Sequence, residues 1–504
     1  MNLIKSKSLF QQKMTASEKR EKIIFILFIF LCASVMALAI RKRMLGDSDF
    51  AFILYEGRRI ARGGIQHMNG AASVSGLHII VQQWLYALIF YKVYELAGWN
   101  GIYAMTIMEM ALFTWIAFRL AEVHGCPGKK AACIAVLFGG LYVFFISPEK
   151  PEIITECLLM TEMTLLEKHA QTGKKRFLAF AVLTVPAEAN LHASMWGIHV
   201  ITAVPYMIPC KKLKAEFRER KNPYSVIPVL VAASFMCLLS MASPYGIDGA
   251  LYLFNSVASG VTKMKIGEIG SPELKSGAAV VALVLAVFAV KRRKHEHAET
   301  LASFAIFFIM FILSYRNFQF LFISAVPTVA EGLDAFPFSH FASGIFSRRF
   351  VYSILAGAMS ITVAGCYTAI LTLKTGWLSS PAYPKNAIGF LKTYEKGSVK
   401  VMTTFNTGAY MENAGYRIFV DARPEIWNRK INKKTDVMKD YQTRSLSYSE
   451  FLKIRNKYGF QYVMADRNTT LKTICDMDTT MKRVAEDRTS VMYKVIRSGR
   501  NFYY

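Results

Sequence analysis

Charge is in short supply in this sequence, and acid is scarcer than base. Of 504 residues only 19% are charged, with 35 Asp and Glu set against 61 Lys and Arg, a smaller share than soluble domains carry. Cysteine builds no framework either. Eight are present, all but Cys475 lie in or beside apolar segments, and their spacing suggests neither a disulfide pattern nor a metal-ligand set. There is no internal repeat and no low-complexity tract. The net charge of +26 comes without the aromatic-interleaved basic face or reader motif of a nucleic-acid-binding protein, so nucleic acid is excluded as a partner.

What the chain has instead is apolar surface: 53% hydrophobic residues, 13% aromatic, and a mean hydropathy of +0.28. The apolar residues are gathered into runs separated by short basic patches, the pattern of several membrane helices with anchoring loops. "IIFILFIFLCASVMALAI" (Ile23 to Ile40) follows a basic leader, has no small-residue cleavage site and reads as an uncleaved first span. Further apolar segments include Gly76 to Leu96, Gly101 to Leu120, Ala131 to Ile146, Ile153 to Leu166, Leu191 to Pro209, Val226 to Met241, Leu301 to Leu313, Phe318 to Ala330 and Val351 to Leu373. The predicted fold class is therefore an α-helical polytopic membrane protein with about 11 to 13 spans, followed by a soluble α/β domain. The expected division is residues 1–376 for the membrane part, with an acidic first loop at 41–75, and residues 377–504 for the soluble part.

Basic patches at Lys174 to Arg176, Lys211 to Lys221, Lys291 to Lys294 and Arg348 to Arg349 fall at alternate helix ends, which puts them in the cytoplasm and everything after Lys374 outside. Membrane lipids are the partner these patches imply. Upstream, charge leaves the side of the first loop open. Beyond Leu373, "SVKVMTTF", "YRIFVDAR" and "FQYVMADR" read as short strands, and "SYSEFLKIRNKYG" as a helix with a serine cap.

The residues able to do chemistry sit at the ends of these runs. "MLGDSDFAFILYEGRRIARGG" presents Asp47 and Asp49 just after the first span, ahead of an amphipathic pattern in which Phe50, Ile53, Leu54 and Ile60 share one side. Such a helix is expected to lie in the interface plane. Its two carboxylates could act as general base toward an acceptor hydroxyl or amine, or bind a divalent metal ion. Gln83 and Trp84 open an apolar helix, where polar groups face a cavity or another helix. Asn190 and His192 stand at a helix mouth beside Glu188, and the histidine could move a proton. Arg316 in "SYRN" is shaped to grip a phosphate. Glu268 and Glu273 come from an outer loop, whereas the acids of "SPEKPEIITE" (Ser147 to Glu156) read as a solvated helix entrance rather than a site.

Taken in order, "DSDFAFILYEGRRIARGG", "GLHIIVQQWLYALIF", "NLHASMWGIHVI", "SPYG" with "IGEIGSPEL", "SYRNFQFLFISAVP" and "RIFVDARPEIW" resemble a bacterial family related to the GT-C glycosyltransferases, the superfamily of protein mannosyltransferases, aminoarabinose transferase and oligosaccharyltransferase. The resemblance implies an acidic first outer loop bearing the catalytic carboxylate, which puts both aspartates outside. It also implies a lipid-phosphate sugar donor in the membrane and an extracytoplasmic C-terminal domain. Asp49, then Asp47, would be the catalytic base or metal ligand, and Gln83, Trp84, Asn190, His192, Glu268 and Arg316 would line the substrate site. The expected function is transfer of a sugar from a polyprenyl-phosphate donor to an extracytoplasmic acceptor, in envelope glycan or glycoprotein assembly, by a multi-pass protein of a bacterial plasma membrane. The rival reading is a non-catalytic membrane scaffold or lipid-linked glycan transporter. A transporter would show two related halves, and the sequence has none.

Overall fold

The computed structural model describes residues 49–126, 128–146, 150–207, 217–219, 224–258, 272–273, 276–334, 380, 382–394 and 399–496. The first span expected at Ile23 to Ile40, the segment Val351 to Leu373, and the candidate residues Asp47 and Glu268 lie outside them.

Five helices position the site: α1 (Asp49–Gly63), α2 (Trp84–Val123), α3 (Glu152–Thr172), α4 (Thr184–Leu191) and α5 (Phe318–Asp334). Helix α1 starts with an acid in its first turn and has Arg62 in its last, charges that complement its dipole. Phe50, Ile53, Leu54 and Ile60 are buried, as the 3.6-residue pattern predicts. Their cover is protein, the helix packing closely on α2. Gly57 shows why: a Cβ there would stand 2.0 Å from the Ala87 carbonyl oxygen, so the α1 and α2 backbones touch where only glycine fits.

Among the described residues α2 is the one helix long and apolar enough to cross a membrane, and Lys130–Val143, Val226–Leu239 and Ala298–Leu313 are shorter apolar helices. Helix α2 breaks at Gly98, whose φ of 58° and ψ of −150° leave the helical region. That break falls between the two apolar segments expected at Gly76 to Leu96 and Gly101 to Leu120. The first of these is helical only from Trp84. Its earlier part, through Leu77 and Ile79, is buried non-helical chain whose His78 amide donates to the Asn432 carbonyl at 3.0 Å.

The C-terminal region forms one sheet from β1 (Lys400–Met402), β2 (Arg417–Ile418), β3 (Tyr462–Asp466), β4 (Met481–Glu486) and β5 (Ser490–Val495), in the order β2-β1-β3-β5-β4. The three expected strands are β1, β2 and β3, and they run parallel. The expected helix is present at Tyr448–Tyr458, with the Ser447 side chain accepting from the Glu450 amide and Gly459 closing it at φ 63°. The antiparallel pair β4 and β5 was not expected. Strand β4 is an edge strand with exposed Lys482 and Arg483, and charge hides an edge strand from a search for apolar alternation. The opposite edge is closed from outside the domain: the Ile418 amide donates to the Ala71 carbonyl and the Ser73 amide to the Ile418 carbonyl, both at 2.8 Å. The chain leaving α1 thus completes the sheet.

Candidate active site

Asp49 heads α1, and its Oδ2 lies 2.9 Å from the Lys150 ammonium. Two residues on, Glu152 opens α3 and its Oε1 accepts from Arg316 Nη2 at 3.1 Å. Pro151 separates the two, holding the chain at the start of the helix. Arg316 belongs to the single 3-10 turn Tyr315–Asn317 immediately ahead of α5. Asp49, Lys150, Glu152 and Arg316 therefore alternate in sign at one end of the helices. The segment "SPEKPEIITE", expected to be a mere helix entrance, is what joins the sequence-predicted base to the sequence-predicted phosphate ligand. The signal available in the sequence was the K-P-E step at the mouth of a helix that keeps acids within its apolar length.

The other described candidates gather next to this row. Glu152 interacts electrostatically with His192 as well as with Arg316 and Lys150. His192 is buried at the end of α4, its Nδ1 3.1 Å from Thr155 Oγ1. Trp84 Nε1 donates to Asn190 Oδ1 at 3.1 Å, and the Ala193 amide donates to the Gln82 carbonyl at 2.8 Å. Asn190 spends its own amide group on the Pro186 and Ala242 carbonyls, both at 2.7 Å. Gln83 is buried and precedes α2 rather than lying within it. Asn190 and Trp84 thus lock two segments together, a structural task in this state of the site. Asp49 is 27% exposed and Arg316 45% exposed.

A second cluster, which sequence reasoning missed, fixes α1 from behind. Arg423 Nη1 reaches Glu56 Oε1 at 3.0 Å, Nη2 reaches Glu412 Oε2 at 2.8 Å, and the group also pairs with Asp421. The guanidinium carbon stands 4.6 Å above the Phe52 ring centroid, one helical turn before Glu56. Burial opposes the charge on Arg423, but Asp421, Glu412 and Glu56 outweigh it and raise its pKa well above the ordinary value. Burial raises the Glu412 carboxyl well above the carboxylate range, against the pull of Arg423. Arg58 adds a hydrogen bond of 2.9 Å to the Asn413 side chain. The "VDAR" strand end in "RIFVDARPEIW" was visible in the sequence, but its partner in α1 was not.

Two cavities lie beside these clusters. One, of about 10 Å³, is lined by Glu56, Gln82, Gln83, Tyr252 and Arg423. The other, of about 110 Å³, is lined by His67, His78, Tyr245, Asp248 and Lys433 among others. Asp49 and Arg316 line neither. Among the described residues no group of three or more His, Cys, Asp or Glu could hold a metal ion. Asp47 lies outside the described residues.

No family model and no curated protein matches the chain by sequence. Comparison of structures finds clear matches. Oligosaccharyltransferase AglB from Archaeoglobus fulgidus, in complex with an inhibitory peptide and a dolichol-phosphate, superposes with a TM-score of 0.55 at 11% identity, covering 86% of this chain and 69% of that one. ArnT from Cupriavidus metallidurans, bound to undecaprenyl phosphate, gives 0.51 at 11% identity, covering 94% and 99%. Arabinofuranosyltransferase AftD from Mycobacteria gives 0.50 at 12% identity, covering 94% and 40%. Another structure of the archaeal enzyme is a complex with zinc and sulfate. All three neighbours are GT-C-type glycosyltransferases, and the chain has their fold.

Proposed function

We propose that this chain, built on the GT-C fold, is an inverting membrane glycosyltransferase that moves a sugar from a polyprenyl-phosphate donor to an extracytoplasmic acceptor. The observation that carries the reading is the row Asp49, Lys150, Glu152 and Arg316, which brings a carboxylate and a guanidinium to one end of the helices. The neighbours' bound dolichol-phosphate and undecaprenyl phosphate support a lipid-phosphate donor. In this reading residues 1–376 are the multi-pass part in a bacterial plasma membrane, and residues 377–504 the extracytoplasmic domain.

Asp49 takes the proton of the acceptor hydroxyl or amine, and the acceptor forms a bond to the anomeric carbon from the face opposite the phosphate. The bond from that carbon to the phosphate oxygen breaks, with its electron pair leaving on phosphate. Arg316 gives up Glu152 for the phosphate, the better bidentate partner, and Lys150 holds Asp49 until the acceptor arrives. Gln83, His192 and Glu268 contact the donor's headgroup, with Trp84 and Asn190 shaping that wall. Asp47, two residues before Asp49 in the sequence, would be a second base, or a ligand should a divalent ion bind.

The test supplies labelled polyprenyl-phosphate sugars and candidate acceptors to the purified chain. Asp49→Asn should lower transfer by about 10²- to 10⁴-fold, the range of a general base, while binding of polyprenyl phosphate persists. Full transfer by a double Asp47→Asn and Asp49→Asn variant removes the mechanism. The rival reading is a non-catalytic membrane scaffold. It predicts no transfer with any donor and no binding of lipid phosphate.

A further inference from the structure

Below the proposed site, α3 carries titratable groups inward along the bundle. Thr155, Glu156, Glu162 and Glu167 are each almost completely buried, and ionisable groups inside a helix bundle are costly enough to call for a purpose. Four links join some of them to the neighbouring helices. Thr155 Oγ1 donates to Glu188 Oε1 at 2.6 Å and lies 3.1 Å from His192 Nδ1. Because the hydroxyl proton is committed to the carboxylate, His192 Nδ1 carries a hydrogen and donates it to Thr155. Glu188 Oε2 lies 3.7 Å from His199 Nε2, and His199 Nδ1 lies 2.5 Å from Glu162 Oε2. At the outer end His192 lies in the electrostatic field of Glu152 and Arg316. From Glu152 to Glu162 the helix advances about 15 Å, so these links connect the proposed site with the bundle interior.

We propose that His192, Thr155, Glu188, His199 and Glu162 form a proton relay between the site and the interior of the bundle. Each member from His192 to His199 passes one proton and takes one up, and Glu162 is the terminal acceptor. When His192 takes a proton at Nε2 it releases that on Nδ1 to Thr155, whose hydroxyl proton moves to Glu188. Glu188 delivers to His199 Nε2 once a side-chain rotation closes their 3.7 Å separation to hydrogen-bond distance, and the Nδ1 proton of His199 goes to Glu162, which ends as a neutral carboxylic acid. One proton enters and one is stored. The groups facing the relay are Lys150 and Arg316 at its mouth, Glu156 with Tyr142 beside Glu188, and Thr184 against His199. The direction of use rests on the transferase reading: a proton released at the site when the acceptor is deprotonated would enter the relay at His192 Nε2. The relay itself is open to test without donor or acceptor.

The full chain in lipid nanodiscs is subjected to a pH jump while carboxyl stretching bands are followed by time-resolved infrared spectroscopy, with Glu162→Gln identifying the Glu162 band. In the wild type that band should respond. Thr155→Val, which removes the bridging hydroxyl and keeps the side-chain volume, should slow the response by about tenfold or more, a barrier increase the size of one hydrogen bond. Thr155→Ser should restore it. If the valine variant does not fold, His192→Gln makes the same cut. A Glu162 band that ignores the jump overturns the relay, as does an equal response in wild type and Thr155→Val, or equal slowing in the valine and serine variants. Loss of the transferase reading would leave this result standing, because no sugar enters the measurement.

Discussion

The Glu56 carboxylate and the Arg423 guanidinium, 367 residues apart in sequence, meet at 3.0 Å in a buried junction. Glu56 lies on the helix that Asp49 heads, and Arg423 follows the second strand of the C-terminal sheet. The position of the proposed base is therefore set by a residue near the far end of the chain. With Phe52 under the same guanidinium, the contact fixes both the rotation and the height of α1.

Replacing Arg423 by methionine should destabilise the protein by about 3–5 kcal/mol, because Glu56, Glu412 and Asp421 would stay buried around a missing cation. Thermal unfolding of the purified protein measures it, and a loss below about 1 kcal/mol would show that the cluster does not hold the junction.

Glu412 gives this junction a pH dependence of definite sign. Its folded pKa is raised by burial above the unfolded carboxyl value, so the folded state binds the extra proton. The contribution to stability is complete below the unfolded value and falls as pH rises toward the folded value. Glu412→Gln should flatten that loss. A melting-temperature series across neutral to alkaline pH would contradict the assignment if the wild type gained stability with rising pH and the glutamine variant behaved alike.

Gly57→Ala places a methyl group against the Ala87 carbonyl oxygen, which belongs to rigid helix backbone. Overpacking of this kind should cost about 1–3 kcal/mol and shift Asp49 along with α1. Hydrogen exchange at the α1 amides reports the separation of the two helices, and unchanged protection would rule out the strain.

Arg316 is 45% exposed in its pair with Glu152, so the pair contributes no more than about 1 kcal/mol and a phosphate can displace it. Glu152→Gln should tighten polyprenyl phosphate binding by up to about fivefold, and Arg316→Gln should weaken it. Titration calorimetry in detergent reads both changes. Tighter binding by the Arg316 variant would remove this residue from phosphate recognition.

Much of the helical part was legible because burial imposes a period. The 3.6-residue pattern gave α1 its inward side at Phe50, Ile53, Leu54 and Ile60, and the paired apolar segments around Gly98 gave the break in α2. Ser447 and Gly459 marked both ends of one helix by local chemistry alone. The resemblance to GT-C proteins holds at the level of fold, carried by the order of segments rather than by any single motif. The β4–β5 pair stayed hidden because a charged edge strand lacks the alternation of a half-buried one.

By itself the sequence determined which side of α1 is buried, where the helix capped by Ser447 begins and ends, and that acids such as Asp49 stand at helix mouths, since these follow from local periodicity, capping and the cost of burying polar groups. Only the tertiary structure decided their partners. The pairing of Asp49 with Lys150, of Glu152 with Arg316 and of Glu56 with Arg423 depends on which chain segments pack side by side. A charge in a linear sequence carries no record of the opposite charge that folding brings within about 3 Å of it.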